Sequence, residues 1–462
     1  MNNIEQLLTE LCAKDVKVWA ENGQLRVSAP KGVLTPALRS ELAARKAELL
    51  AALGQTNGHA PPSRDILRPA ARPGQLPLSF NQQRLWVMEQ INPSSAYNQF
   101  GALCFEGELN IPALTQSLTE IVRRHEILRT VFPEQDGGPV QAIQPPHRIQ
   151  LPVLDLTELA GPALEARVQQ LAIAEAQQPF DLAVGPLLRL KLLRLAPQSH
   201  ILFLTAHHIC GDGWSGGVLS QELTALYTAY VQDAPSPLPE LPLQYADYAV
   251  WQRQWMDDAA SAAQLAYWKQ QLAGLPPLLE LPADHPRPVV QRFCGALHRF
   301  EFSPALAQKL KALGSRSQTT PFMIGLAAFA ILLARYSRTD DIAIGSLIAN
   351  RSRRELEELI GFFANTLVLR VDLAGEPTVL DLLARVRKMT LAAYDHQELP
   401  FEKLVDELRP ERSLSYNPLF QVLFTWQSNN TLAPVALPGV TVKALDIHPG
   451  TAKFDLHLNL WD

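Results

Sequence analysis

Ile201-Leu202-Phe203-Leu204-Thr205-Ala206-His207-His208-Ile209-Cys210-Gly211-Asp212-Gly213 is the stretch from which the rest of this chain can be read. Its first four residues form a continuous apolar run of strand length, the pattern of a strand buried on both faces. The run ends at two histidines, and Gly211 and Gly213 then break regular structure. Val218, Leu219, Leu223, Leu226, Tyr227 and Tyr230 come next at helical spacing. Strand, tight loop and helix in that order present a side chain rigidly at a strand end, in an α/β context.

The chemistry such a loop offers is acyl transfer, with one imidazole as base or polar stabiliser. An unperturbed histidine titrates near 6.5 and an α-amine at roughly 7.7–8, so a proton can pass between them near neutrality. Asp212, four residues after His208, has two readings: it touches the histidine, or it locks the loop through an ion pair. Adjacent histidines on an extended chain point to opposite sides, so metal ligation is the weaker alternative. A buried structural role suits His207 better. Cys210 sits among apolar neighbours and reads as a packed thiol rather than a nucleophile.

Outward from the loop the chain is mixed α/β. Upstream, Asn110 caps a helix with Pro112 in its first turn and Leu114, Leu118, Ile121 and Val122 as its stripe. Downstream, the spacing predicts a buried helix over Phe322–Tyr336 and a strand at Ile342-Ala343-Ile344-Gly345. Proline-dense stretches at Pro235–Pro242 and Pro276–Pro288 divide the region into two lobes, 78–270 and 271–462. Residues 54–77, interrupted by Gly54, Gly58, Pro61, Pro62, Pro69, Pro73, Gly74 and Pro77, read as a linker. Residues 1–53 read as a separate small unit of helix, hairpin and helix. Ile4, Leu7, Leu8 and Leu11 have helical spacing. Val16–Ala20 and Gln24–Ser28 alternate as strands around Asn22-Gly23, and Thr35-Pro36 opens a second helix through Leu38, Leu42 and Leu49.

With 462 residues, the chain is long enough for two or three compact units. A net charge of −5 is too small to argue for nucleic-acid binding. No apolar run approaches the roughly 20 residues that span a bilayer. The N-terminus lacks a basic segment followed by an apolar core, so a secretory signal is not expected. Four cysteines without paired spacing suggest reduced thiols and a cytoplasmic protein, with no metal site and no membrane.

His207–Gly213 resembles the HHxxxDG motif of condensation domains in nonribosomal peptide synthetases, a motif shared with epimerisation domains and acyltransferases of the chloramphenicol-acetyltransferase type. Six further segments match the condensation family's order and narrow the resemblance. They are Leu78–Trp86, Arg124–Phe132, Tyr245–Trp251, Ile360–Arg370, His396–Leu404 and Arg412–Gln421. Together they cover nearly all of 78–462. Residues 1–53 resemble TubC-type N-terminal docking domains, which capture the C-terminal tail of the preceding synthetase subunit. A hairpin with a free edge suits an added peptide strand. Lys17, Trp19 and Arg26 are the expected contacts, with Lys31 favouring an acidic tail.

The resemblance implies an α/β (α+β) fold: two chloramphenicol-acetyltransferase-like lobes in a V-shaped pseudo-dimer, plus the small docking unit. It implies that donor and acceptor carrier proteins approach from opposite faces. Their phosphopantetheine arms supply the thioesters, so the chain itself needs no cofactor. His208 would accept the amine proton or steady the charged intermediate. His207 and Asp212 would hold the loop, and Gly213 would leave room for the thiol and face the oxyanion with its N–H. Arg84 is the expected partner of Asp212, with Arg351 the second candidate. Asn365 is either a polar contact from the other lobe or a strand-end amide. Tyr245, Asp247, Trp251, His125 and His396 read as architectural, and Asn417-Pro418-Leu419-Phe420 as shaping the seam. The first motif resembles members taking an L-configured donor. The alternatives are a starter domain with a fatty acyl donor, or a non-catalytic interaction platform. Cys210-Gly211 departs from the family, which commonly places a serine before the aspartate. The strand pattern at Lys453–Asp462 also stops short of where family members usually end, so a truncated C-terminal lobe is expected.

Overall fold

The structure, a computed structural model, describes residues 67–461 except 71, 73, 257, 258, 412, 428–434 and 449, and before them 17–21, 24–28, 42, 45 and 46. It divides into two units, Met1–Ile66 and Leu67–Asp462. The first contains an antiparallel hairpin of β1 (Lys17–Glu21) and β2 (Gln24–Ser28). Trp19 lies opposite Arg26, and Lys17 opposite Ser28. The Asn22-Gly23 turn, the first helix and most of the second lie outside the described residues.

The second unit begins with β3 (Leu76–Pro77) and α1 (Phe80–Ile91), whose Ser79 N-cap forms a reciprocal capping box with Gln82. Next come β4 (Asn98–Gly107) and α2 (Ile111–Arg124), capped by Asn110 with its four-residue stripe buried. Four short strands come after it: β5 (Thr130–Val131), β6 (Glu134–Gln135), β7 (Gly138–Ile143) and β8 (Val153–Asp155). Then come α3 (Gly161–Gln177), β9 (Leu188–Ala196), β10 (Ser199–His207), α4 (Gly213–Val231), α5 (Tyr245–Trp255) and α6 (Ala259–Gln271). The remainder is α7 (Pro304–Ser317), α8 (Pro321–Ser337), β11 (Asp341–Ile348), β12 (Asn365–Asp372), α9 (Val379–Asp395), α10 (Phe401–Leu408), β13 (Val422–Gln427), β14 (Val440–Leu445) and β15 (Leu456–Trp461).

Two main sheets result. One runs β14-β4-β10-β9-β8 and the other β12-β11-β13-β15. β10 is the central strand of the first, antiparallel to both neighbours, and Ile201, Leu202 and Phe203 are buried. That placement matches the unbroken apolar run. Each sheet has its own apolar core.

The cut near residue 271 is not a clean packing boundary. β14 pairs antiparallel with β4, Val440 opposite Gly107, so a late segment closes the open edge of the first sheet. Phe293, Leu356, Ile360, Phe363, Val435 and Leu437 likewise join the first core. The last strand also starts later than its alternation implies. Phe454 stacks on Phe420, and the Asp455 N–H donates to the Gln421 carbonyl (2.9 Å), which bends the chain before Leu456. No single described helix is long and apolar enough to cross a membrane.

Candidate active site

The histidine loop is built from two local devices. β10 carries His207 to the sheet end, and a short 3-10 turn over His208–Cys210 reverses the chain. Asp212 then caps α4. Its Oδ1 accepts from the Ser215 N–H (3.0 Å) and hydroxyl (2.8 Å). The Asp-x-x-Ser spacing is a legible N-cap pattern, and it marks Ser215 as a residue the motif alone did not single out.

Asp212 is also one of the points where the two lobes are joined. Oδ1 accepts from Arg351 Nη2 (3.3 Å), and Oδ2 accepts from the N–H groups of Phe363 (3.0 Å) and Ala364 (3.1 Å). Arg351 is itself buried. It donates through Nη1 to the Leu356 and Leu359 carbonyls and lies over the Phe363 ring. With both oxygens engaged in this way, the carboxylate locks the loop rather than serving His208. Arg84, the first expectation, is not the partner. It pairs with Glu402 at 3.2 Å and lies over Phe401 on α10. Asn365 is a strand-end amide. Its Nδ2 donates to the Gln397 and Leu399 carbonyls, and its Oδ1 accepts from Phe401 N–H.

His207 is buried. Its Nδ1 accepts from the Ile209 N–H (3.2 Å), Phe180 packs edge-on against its ring, and burial pulls its pKa down to about 3. His208 is half-buried beneath Phe362, with ring centroids 4.5 Å apart, and its Nδ1 is enclosed without a hydrogen-bond partner. Burial first, then the positive charge of Lys453, keeps its imidazole well below the usual histidine range. Cys210 is a packed thiol that burial pushes upward. A Cβ on Gly213 would meet nothing within 4 Å, so this side of the loop is open. Among the described residues no group of three or more His, Cys, Asp or Glu could hold a metal ion.

The remaining motif residues brace this arrangement. The Tyr245 hydroxyl donates to the Phe362 carbonyl (2.7 Å), and its ring fills the space a Cβ on Gly361 would need. Asp247 accepts from the Gln244 and Ala70 N–H groups, and Trp251 stacks on Trp255. His125 Nδ1 accepts from the Ile360 N–H (3.3 Å), a further tie between the lobes, while Nε2 faces Glu222 (3.1 Å). His396 stacks on Tyr267 at 3.9 Å. Asn417 donates to the Lys453 carbonyl (2.8 Å), and Phe420 packs over Gly345. Lys453, which the strand pattern concealed, places its ammonium 5.2 Å from the centroid of the Tyr97 ring, and its positive charge lowers both histidines.

A sheet in each lobe, with an imidazole loop clamped between them, is the two-lobed architecture expected of a chloramphenicol-acetyltransferase-like fold. Residues 73–462 match the family described as "Condensation domain", and residues 4–55 match "TubC N-terminal docking domain". The chain belongs to the condensation-domain family of nonribosomal peptide synthetases. It is 47% identical to chondramide synthase cmdD of Chondromyces crocatus over 87% of this chain, and 44% identical to phosphinothricin tripeptide synthetase PhsC of Streptomyces viridochromogenes over 84%. A linear gramicidin synthase of Brevibacillus parabrevis is 48% identical over 90% of this chain. The chain spans 10%, 36% and 8% of the lengths of those three relatives, in that order. Among solved structures, the X-domain from teicoplanin biosynthesis superposes with a TM-score of 0.80 at 28% identity, covering 86% of this chain and 87% of that one.

Proposed function

We propose that this chain joins a donor acyl or peptidyl thioester to the amine of an acceptor aminoacyl thioester, in the cytoplasm. Each substrate would be borne on the phosphopantetheine arm of a separate carrier protein, with the donor L-configured. The observation that carries this reading is His208. It is a neutral, half-buried imidazole at the sheet end, beside a separate clamp of Asp212, Ser215 and Arg351. Much of the rate then comes from holding two tethered reactants together. An imidazole so reluctant to charge supports a hydrogen-bond acceptor that orients the amine, rather than a base that ends as imidazolium. The open side of Gly213 fits a passing pantetheine thiol.

Residues 1–53 would dock the acidic tail of an upstream subunit onto the β1–β2 edge, using Lys17, Trp19 and Arg26. Residues 54–77 would tether that unit to the lobes at 78–270 and 271–462. The match to TubC docking domains supports this. The test supplies loaded donor and acceptor carriers and reads carrier-bound products by mass spectrometry. His208→Ala should lose the amide product, and a variant as fast as wild type defeats the catalytic reading.

A second reading has a specific basis. The X-domain that superposes on this chain was also solved in complex with OxyB, so this fold can present a protein-binding face. A wild-type chain that binds carriers yet forms no amide with any loaded pair would favour that platform.

A further inference from the structure

Lys453 sits just ahead of β15 and places its Nζ 5.2 Å from the centroid of the Tyr97 ring. Tyr97 immediately precedes β4, whose first residue Asn98 pairs with His207, so the ring lies beside the histidine turn. The Lys453 main chain is pinned. Its carbonyl accepts from Gln291 Nε2 (3.0 Å) and Asn417 Nδ2 (2.8 Å). The residue as a whole is half-buried, and among the described residues no carboxylate lies within ion-pair distance of its ammonium. The charged and titratable groups that face it are Arg84, His207, His208 and His457. Arg84 is itself paired with Glu402. A desolvated cation among imidazoles and a second cation is unfavourable in the resting protein. It becomes favourable only when negative charge develops in front of it, and acyl transfer develops such charge on the carbonyl oxygen.

We propose that Lys453 is a further catalytic residue of the condensation, donating a hydrogen bond from Nζ to the thioester carbonyl oxygen as that oxygen becomes an oxyanion. This rests on the amide-forming reading above. The amine nitrogen attacks the carbonyl carbon, and the C=O π pair moves onto oxygen. When the pair returns, the C–S bond breaks. The departing sulfur takes up the proton the amine releases, leaving an amide on the acceptor and a free thiol on the donor carrier. Lys453 keeps its proton throughout. Burial, with Arg84 adding to it, lowers its ammonium to about 8, so the donor is charged at neutral pH and lost in alkali.

The test is K453M beside K453R in the full chain, with single-turnover amide formation, carrier KM and thermal melting measured together. K453M should slow the chemical step about a hundredfold, the scale of one lost oxyanion donor, with carrier KM unchanged. Its melting temperature should hold, because the desolvated charge that has gone makes no ion pair and only the contact with the Tyr97 ring is lost with it. K453R should recover part of the rate and shift the alkaline limb above its wild-type position near pH 8. An unchanged K453M rate, or a rate that falls only in step with a lower melting temperature, overturns the proposal. Calorimetry with a phosphonamidate mimic of the tetrahedral adduct separates this from failure of the amide-forming reading. K453M should bind it about tenfold more weakly, and equal binding in wild type and variant overturns the role of Lys453 even if no natural pair is joined.

Discussion

Asp212→Ala is the perturbation whose cost the structure specifies most directly. The carboxylate accepts five hydrogen bonds: from the Ser215 N–H and hydroxyl, from Arg351, and from the N–H groups of Phe363 and Ala364. Truncation leaves the buried Arg351 charge without its anion, a change that costs about 3–5 kcal/mol at buried pairs. It also strands two backbone N–H groups at the lobe seam, each worth about 1–3 kcal/mol if no water replaces the acceptor. The Ser215 hydroxyl keeps an alternative acceptor, the Gly361 carbonyl at 2.9 Å. A net loss of about 5 kcal/mol is expected, comparable to the whole stability of a marginal domain. The assay is urea unfolding followed by tryptophan fluorescence. Asp212→Asn serves as the shape control, and Arg351→Met tests the coupling. Adding Arg351→Met to Asp212→Ala should restore about 1–3 kcal/mol, since it removes the stranded charge. A loss under about 1 kcal/mol for Asp212→Ala, or strict additivity of the two substitutions, would refute the view of Asp212 as the lock between the lobes.

Three further outcomes are expected from the same geometry. His207 stays neutral in the fold down to about pH 3, while the unfolded chain takes up a proton below about 6.5. Stability should therefore fall by about 1.4 kcal/mol per pH unit as pH drops from 6.5 toward the folded value, and His207→Gln should flatten that slope in urea melts taken from pH 7 to 5. Gly213→Val adds a side chain into open space, so it should leave the melting temperature nearly unchanged while cutting amide formation; full activity would show that no pantetheine thiol passes there. Gly361→Ala drives a methyl into the Tyr245 ring and should cost about 1–3 kcal/mol in chemical denaturation, a loss that Tyr245→Leu relieves.

The loop 207–213 was legible because its information is local. An unbroken apolar run predicts a central strand, two glycines predict a break, and a helical stripe predicts α4. The resemblance of seven motifs to those of the condensation family extended that reading to nearly the whole of 78–462. Partner choice was not local. Arg84 and Arg351 are both plausible cations in the sequence, and only the packed structure assigns the first to Glu402 and the second to Asp212. The same holds for β14, whose pairing with β4 spans more than 300 residues of chain, and for Lys453, which period alone reads as the start of a strand. Periodicity and turn chemistry act over a few residues, so sequence alone established the elements and the identity of the histidine loop. Ion pairs, edge closure and the unpaired ammonium depend on which distant segments desolvate one another, and that was decided only when the two lobes packed together.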